Sequence, residues 1–65
     1  MRIDLNGVAT MTTASTVAML IEERGLDPNS VATALDGLFV TRTARETAAL
    51  NDGAKIEILE PMQGG

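Results

Sequence analysis

The chain has 65 residues and contains neither cysteine nor histidine. Disulfides, thiolate metal sites, a cysteine nucleophile and the commonest general base are all excluded. Nine acidic residues against five basic ones give a net charge of −4, and Phe39 is the only aromatic residue. Such a surface has no basic patch for phosphates and no stacking platform for bases, so nucleic acid is not an expected partner.

A chain this short forms a single domain, near the lower limit at which a core of its own is stabilising. Its 45% hydrophobic and 22% charged content is that of a globular protein rather than a disordered one. No apolar run approaches a membrane span, and "MRIDLNG" lacks the hydrophobic stretch of a secretion signal, so a cytoplasmic protein with no membrane contact is expected.

In chain order, "MRIDL" alternates Met1, Ile3 and Leu5 against Arg2 and Asp4, the pattern of a strand with one buried face. Asn6-Gly7 follows; both residues tolerate the positive φ of a type I′ hairpin turn. "VATMT" returns as a second strand, with Val8 and Met11 expected to shield the edge of the core. Helical spacing then places Val17, Leu20, Ile21 and Arg24 on one stripe, with Glu22 and Glu23 turned to water. Thr16 or Ser15 can cap the start. Gly25 suits the left-handed position past the end, Leu26 can close back on Ile21, and Asp27-Pro28 stops the helix.

A third strand reads from Val31 to Leu35 and ends in a turn at Asp36-Gly37, after which Phe39 and Val40 are extended again. "TARETAAL" reads as a loop carrying a helical turn. "NDGAKIEILE" supplies a turn at Asp52-Gly53 and a last strand, with Ile56 and Ile58 on one side and Lys55, Glu57 and Leu59 on the other. One helix across one face of a mixed sheet is a two-layer α+β fold. Glu22, Glu23, Glu46, Glu57 and Glu60 read as solvated surface that can complement a basic partner. Their spacing matches no oxygen-rich metal loop, and no metal site is expected.

The chain finishes on "PMQGG". Glycine loses the most conformational freedom on folding and has no side chain to bury, so Gly64 and Gly65 do not read as core. Residues 1–61 are expected to form the domain and residues 62–65 a flexible tail.

The order of elements and this ending resemble the ubiquitin-like β-grasp proteins, and within them the ThiS-type sulfur carriers of thiamine biosynthesis. The resemblance runs the length of the chain. It is carried by Asn6-Gly7, "STVAMLIEERGL", "VATALDGLFVTR" with Arg42, "LNDGAKIEIL" and the terminal Gly-Gly. Thr41 departs from it, standing where such carriers often have proline. The resemblance implies a mixed sheet of four to five strands, with the last strand parallel to the first.

It also implies that the Gly65 carboxylate is adenylated and converted to a thiocarboxylate. The chain would then be no enzyme and hold no cofactor; ATP would be used by a separate E1-like, ThiF-type adenylating enzyme, and a ThiG-type thiazole synthase would receive the sulfur. No G-x-x-x-x-G-K-[ST] loop is present to bind ATP. Gln63 and Gly64 would thread the partner's channel, and a free monomer is expected. Other readings are a MoaD-type carrier serving molybdopterin or another pathway, and a ubiquitin-like modifier. Lys55 is the only lysine for chain building, and the ending on Gly65 without an extension suits a carrier ready for use.

A docking face follows from alternation. If Val31, Thr33, Leu35, Ile56 and Ile58 face the helix, then Ala32, Ala34 and Leu59 share the open side of the sheet. These three, with Met62, are the candidate partner-docking residues.

Overall fold

The structure is a computed structural model and describes residues 1–61. Strands β1 (Arg2–Leu5) and β2 (Val8–Met11) form a hairpin, helix α1 (Val17–Glu23) follows, and a second hairpin is built from β3 (Ala32–Leu35) and β4 (Leu38–Val40). Strand β5 (Lys55–Leu59) comes last, and 3-10 turns at Pro28–Ser30 and Thr43–Glu46 fill the connections. The sheet order is β2-β1-β5-β3-β4, with β5 parallel to β1 and antiparallel to β3. This is the five-stranded, one-helix β-grasp arrangement.

Both hairpins turn on two residues in the left-handed region. Asn6 and Gly7 have φ of 52° and 83°, and Asp36 and Gly37 have 50° and 85°. These are the values a type I′ turn needs, and they fix the registers Leu5↔Val8 and Leu35↔Leu38. The remaining pairs within each hairpin follow from those two.

The helix begins where Thr16 accepts a hydrogen bond from the Met19 backbone N–H at 3.2 Å, so Thr16 rather than Ser15 is the cap. It ends in a Schellman motif. Gly25 (φ 70°) donates to the Glu22 carbonyl at 3.0 Å, and Leu26 donates to the Ile21 carbonyl at 3.1 Å. Val17, Leu20 and Ile21 form the buried stripe and join Ile3, Leu5, Ile56 and Ile58 in one core with Ala14, Val31, Leu50 and Ala54. Each such large side chain contributes about 1.5–3 kcal/mol by leaving water.

Three expectations are corrected. Arg24 is exposed as the C-cap and does not extend the buried stripe, because the helix closes after Glu23. Glu23 is not merely turned to water; its carboxylate accepts from the Thr12 hydroxyl at 2.6 Å and from the Thr13 hydroxyl and backbone N–H at 3.1 and 3.2 Å. Val8 and Met11 shield nothing, being 63% and 73% exposed. Val8 shares the face of its partner Leu5 and Met11 that of Arg2, and β2 is an edge strand; Thr12, just beyond it, is buried instead.

Candidate functional site

The open face of the sheet is set by alternation in β5. Ile56 and Ile58 are buried against the helix layer, so Lys55, Glu57 and Leu59 project the other way. The antiparallel register places Ala32 opposite Leu59 and Ala34 opposite Glu57, and the hairpin register places Phe39 opposite Ala34. Ala32, Ala34, Phe39, Glu57 and Leu59, with Thr33, line a shallow depression of about 100 Å³. The two alanines keep its floor low. Leu59 (63% exposed) and Phe39 (71%) stand above that floor as apolar walls, with Glu57 beside them.

Ala32, Ala34 and Leu59 are thus brought together as alternation predicts. Met62, Gln63, Gly64 and Gly65 lie outside the described residues. Phe39 was missed, although the signal was available: an Asp-Gly type I′ turn pairs Leu35 with Leu38 and therefore Ala34 with Phe39. An exposed phenyl ring beside an exposed leucine is a small apolar surface of the kind that protein contacts cover.

Strand β5 carries the chain from the core to Glu60 and Pro61, and side chains hold it at both ends. At its start, the Asp36 backbone N–H donates to the Lys55 carbonyl at 2.7 Å, while the Lys55 N–H donates to Asp36 Oδ1 at 2.9 Å. Near its end, Asn6 Nδ2 donates to the Ile58 carbonyl at 3.1 Å and Asn6 Oδ1 accepts from the Ile58 N–H at 2.9 Å. Both clamping residues are the first positions of the two hairpin turns.

The helix side holds a larger groove, about 490 Å³, between α1 and the two 3-10 turns, and Arg42 and Arg45 lie in its wall. Arg45 is 4% exposed. Its guanidinium donates to Thr33 Oγ1 at 3.1 Å and to the carbonyls of Pro28 and Val31 at 2.8 and 2.6 Å. Arg42 donates to Asn29 Oδ1 at 3.2 Å. With Arg45 committed to the backbone and Glu22 and Glu46 in the same wall, the groove is not arranged to hold an anion.

The perturbed carboxyl groups lie away from the open face. The Thr12 hydroxyl foremost, then the Thr13 N–H, hold the Glu23 carboxyl below its ordinary 4.5. The Asn29 N–H and then the Ser30 hydroxyl lower Asp27, which caps the turn that follows it. Both are structural ties rather than poised acids or bases. Among the described residues, no three acidic side chains gather to hold a metal ion, and no helix is long and apolar enough to cross a membrane.

The family model described as the ThiS family matches residues 3–65. The crystal structure of a thiamine biosynthesis protein (ThiS) from Geobacter metallireducens is similar with a TM-score of 0.85 at 25% identity, over 100% of both chains. The solution NMR structure of a thiamine biosynthesis protein from the same organism gives 0.84 at 25% identity, over 100% of this chain and 88% of that one. No curated protein matches the chain significantly.

Proposed function

The chain belongs to the ThiS family of sulfur carriers, and we propose that it carries sulfur for thiazole formation in thiamine biosynthesis on the α-carboxyl group of Gly65. The observation that carries this reading is the family match, which runs through the Gly64-Gly65 pair itself.

The chemistry follows from what a carboxylate lacks. It is a poor electrophile, because expelling oxide is prohibitive near neutral pH. On a separate E1-like, ThiF-type enzyme, a Gly65 carboxylate oxygen attacks the α-phosphorus of ATP and pyrophosphate leaves. Hydrosulfide then adds to the acyl carbon, AMP departs with the former carboxylate oxygen, and loss of the S–H proton leaves a thiocarboxylate. A ThiG-type thiazole synthase consumes that sulfur. The chain is a co-substrate in these steps, used in the cytoplasm where ATP is available and acting as a monomer when free.

Glycine at both terminal positions puts no Cβ beside the reacting carbonyl, so Gln63, Gly64 and Gly65 can pass extended through a narrow channel. Little binding energy is available from such a segment. The folded body supplies it, through Leu59, Phe39, Ala32 and Ala34 on the open face, to which Met62 of the tail would add, and so positions a reacting group that has few contacts of its own. The test is ATP–pyrophosphate exchange on the cognate adenylating enzyme. The full chain supports exchange and the chain lacking Gly65 does not; equal rates would refute the proposal.

A further inference from the structure

Something must aim the strand that leads to Gly65. We propose that Asn6 is a positioning residue for the reaction at the C-terminus, acting through Ile58 to fix where the chain leaves the sheet. This rests on the function proposed above.

The parallel ladder between β1 and β5 runs out early. Asp4 donates to the Ala54 carbonyl at 2.8 Å and Asn6 donates to the Ile56 carbonyl at 2.9 Å. At Asn6 the chain turns back into β2, so β1 has no further residue to offer Ile58. The Ile58 N–H and C=O face this side, only partly open to water, and the Asn6 side chain takes the place of the missing peptide group. It donates to the Ile58 carbonyl at 3.1 Å and accepts from the Ile58 N–H at 2.9 Å. A carboxamide carries the donor and acceptor of a peptide unit side by side, so it can continue a ladder whose backbone has turned away.

The second turn provides an internal control. Asp36 occupies the same turn position as Asn6, with nearly the same φ. There the backbone N–H of Asp36 already serves the Lys55 carbonyl, and only an acceptor is wanted for the Lys55 N–H. The chain has a carboxylate where an acceptor suffices and a carboxamide where both partners are needed. Turn geometry alone accepts Asn, Asp or Gly at either position. The hydrogen bonds to β5 separate them.

Ile58 directly precedes Leu59, the last residue of β5 and a wall of the open-face depression. Without Asn6, that end of the strand is held laterally by β3 alone, through the pairs Thr33↔Ile58 and Ala32↔Leu59. The path from the docked body to Gly65 would then start from a looser point, and a small misplacement of a reacting atom is costly in rate.

The experiment compares Asn6→Gly and Asn6→Asp with the unaltered chain, since both keep a turn that accepts positive φ. Amide hydrogen exchange at Ile58 reads the clamp, and ATP–pyrophosphate exchange on the adenylating enzyme reads positioning. In Asn6→Gly the Ile58 amide should exchange roughly tenfold faster, the factor expected from one lost hydrogen bond. Its kcat should fall by roughly ten- to a hundredfold, with a far smaller change in KM, because the docking side chains are intact. Asn6→Asp, which retains the acceptor, should keep more protection at Ile58 but still lose kcat, since the donor to the Ile58 carbonyl is gone.

A merely structural Asn6 would lower the melting temperature and leave kcat unchanged well below it. Wild-type kcat in Asn6→Gly alongside a deprotected Ile58 amide would overturn the inference, as would an Ile58 amide equally protected in all three chains. An unaltered chain that supports no exchange would contradict the proposed function itself and remove the positioning role with it, while the Ile58 amide would still report the clamp as architecture.

Discussion

The Arg45 guanidinium donates to the Val31 carbonyl oxygen at 2.6 Å, in a site where Arg45 is almost wholly buried. Its other donors reach Thr33 Oγ1 and the Pro28 carbonyl, so a charged group with no carboxylate partner among the described residues is stabilised by oriented dipoles. The contact joins the second 3-10 turn to the entrance of β3, the strand that supplies the floor of the open-face depression. Arg45→Met should destabilise the fold by about 3 kcal/mol, because it removes charge-assisted hydrogen bonds and leaves the buried Val31 carbonyl unpaired. Urea unfolding measures it, and Arg45→Lys should recover only part of the loss, since an ammonium lacks the planar fork that reaches all three oxygens.

Gly25 should matter for its backbone alone. A Cβ built there meets no atom within 4 Å, yet φ is +70°. Gly25→Ala should therefore cost about 1–2 kcal/mol from left-handed strain without any clash. Gly25→Asn should cost less, and thermal unfolding of the two variants distinguishes strain from packing.

The parts of the fold governed by local chemistry were legible in the sequence. Asn6-Gly7 announced a type I′ turn and Asp36-Gly37 a turn, Gly25 marked the helix end and Thr16 or Ser15 its start, and alternation in β5 assigned Ile56, Ile58 and Leu59 to their faces. Readings that needed neighbouring elements went wrong or were absent. Val8 and Met11 look like core residues in a strand pattern, and only the sheet order shows that β2 lies at an edge. Arg45 looks like an ordinary surface arginine in "TARETAAL"; its burial depends on oxygens 12 to 17 residues away. The same holds for Asn6 and Ile58, 52 residues apart. Of the candidate site, Ala32, Ala34 and Leu59 could be read from period two, whereas Phe39 required the hairpin register to be followed one pair further.

The open face should tolerate charge in isolation and fail in docking. Phe39→Glu and Leu59→Glu alter side chains that are mostly exposed, so stability should stay within about 0.5 kcal/mol of the unaltered chain. Against the adenylating enzyme each should weaken binding by more than roughly tenfold, as expected when an apolar anchor is replaced by a charge that the interface must desolvate. Titration calorimetry beside circular dichroism separates the effects. Unchanged affinity for both variants would remove the patch from the docking surface.

Acid should loosen the connection between β2 and α1. The Glu23 carboxyl is held below its ordinary 4.5, chiefly by the Thr12 hydroxyl. Its folded-state pKa is lower than its unfolded one, so the ionised group contributes stability above pH 4.5, and that contribution fades as pH falls through the folded value. Asp27, held below 3.8 by the Asn29 N–H, acts in the same sense at more acid pH. Glu23→Gln, which removes the ionised acceptor, should therefore melt below a Glu22→Gln control near neutrality and show a flatter decline in melting temperature as pH falls below 4.5, so that the two converge in acid. A decline of equal steepness in both variants would show that Glu23 is not the titrating tie.

The central claim is that the carboxyl group of Gly65 becomes a thiocarboxylate. Intact mass spectrometry tests it most directly on the purified chain incubated with its adenylating enzyme, ATP and a sulfur donor. The account predicts a population heavier by the exchange of one oxygen for one sulfur, with fragmentation assigning the change to Gly65 and no such population when ATP is withheld. An unchanged mass under the complete conditions, or a sulfur located anywhere other than Gly65, would contradict it.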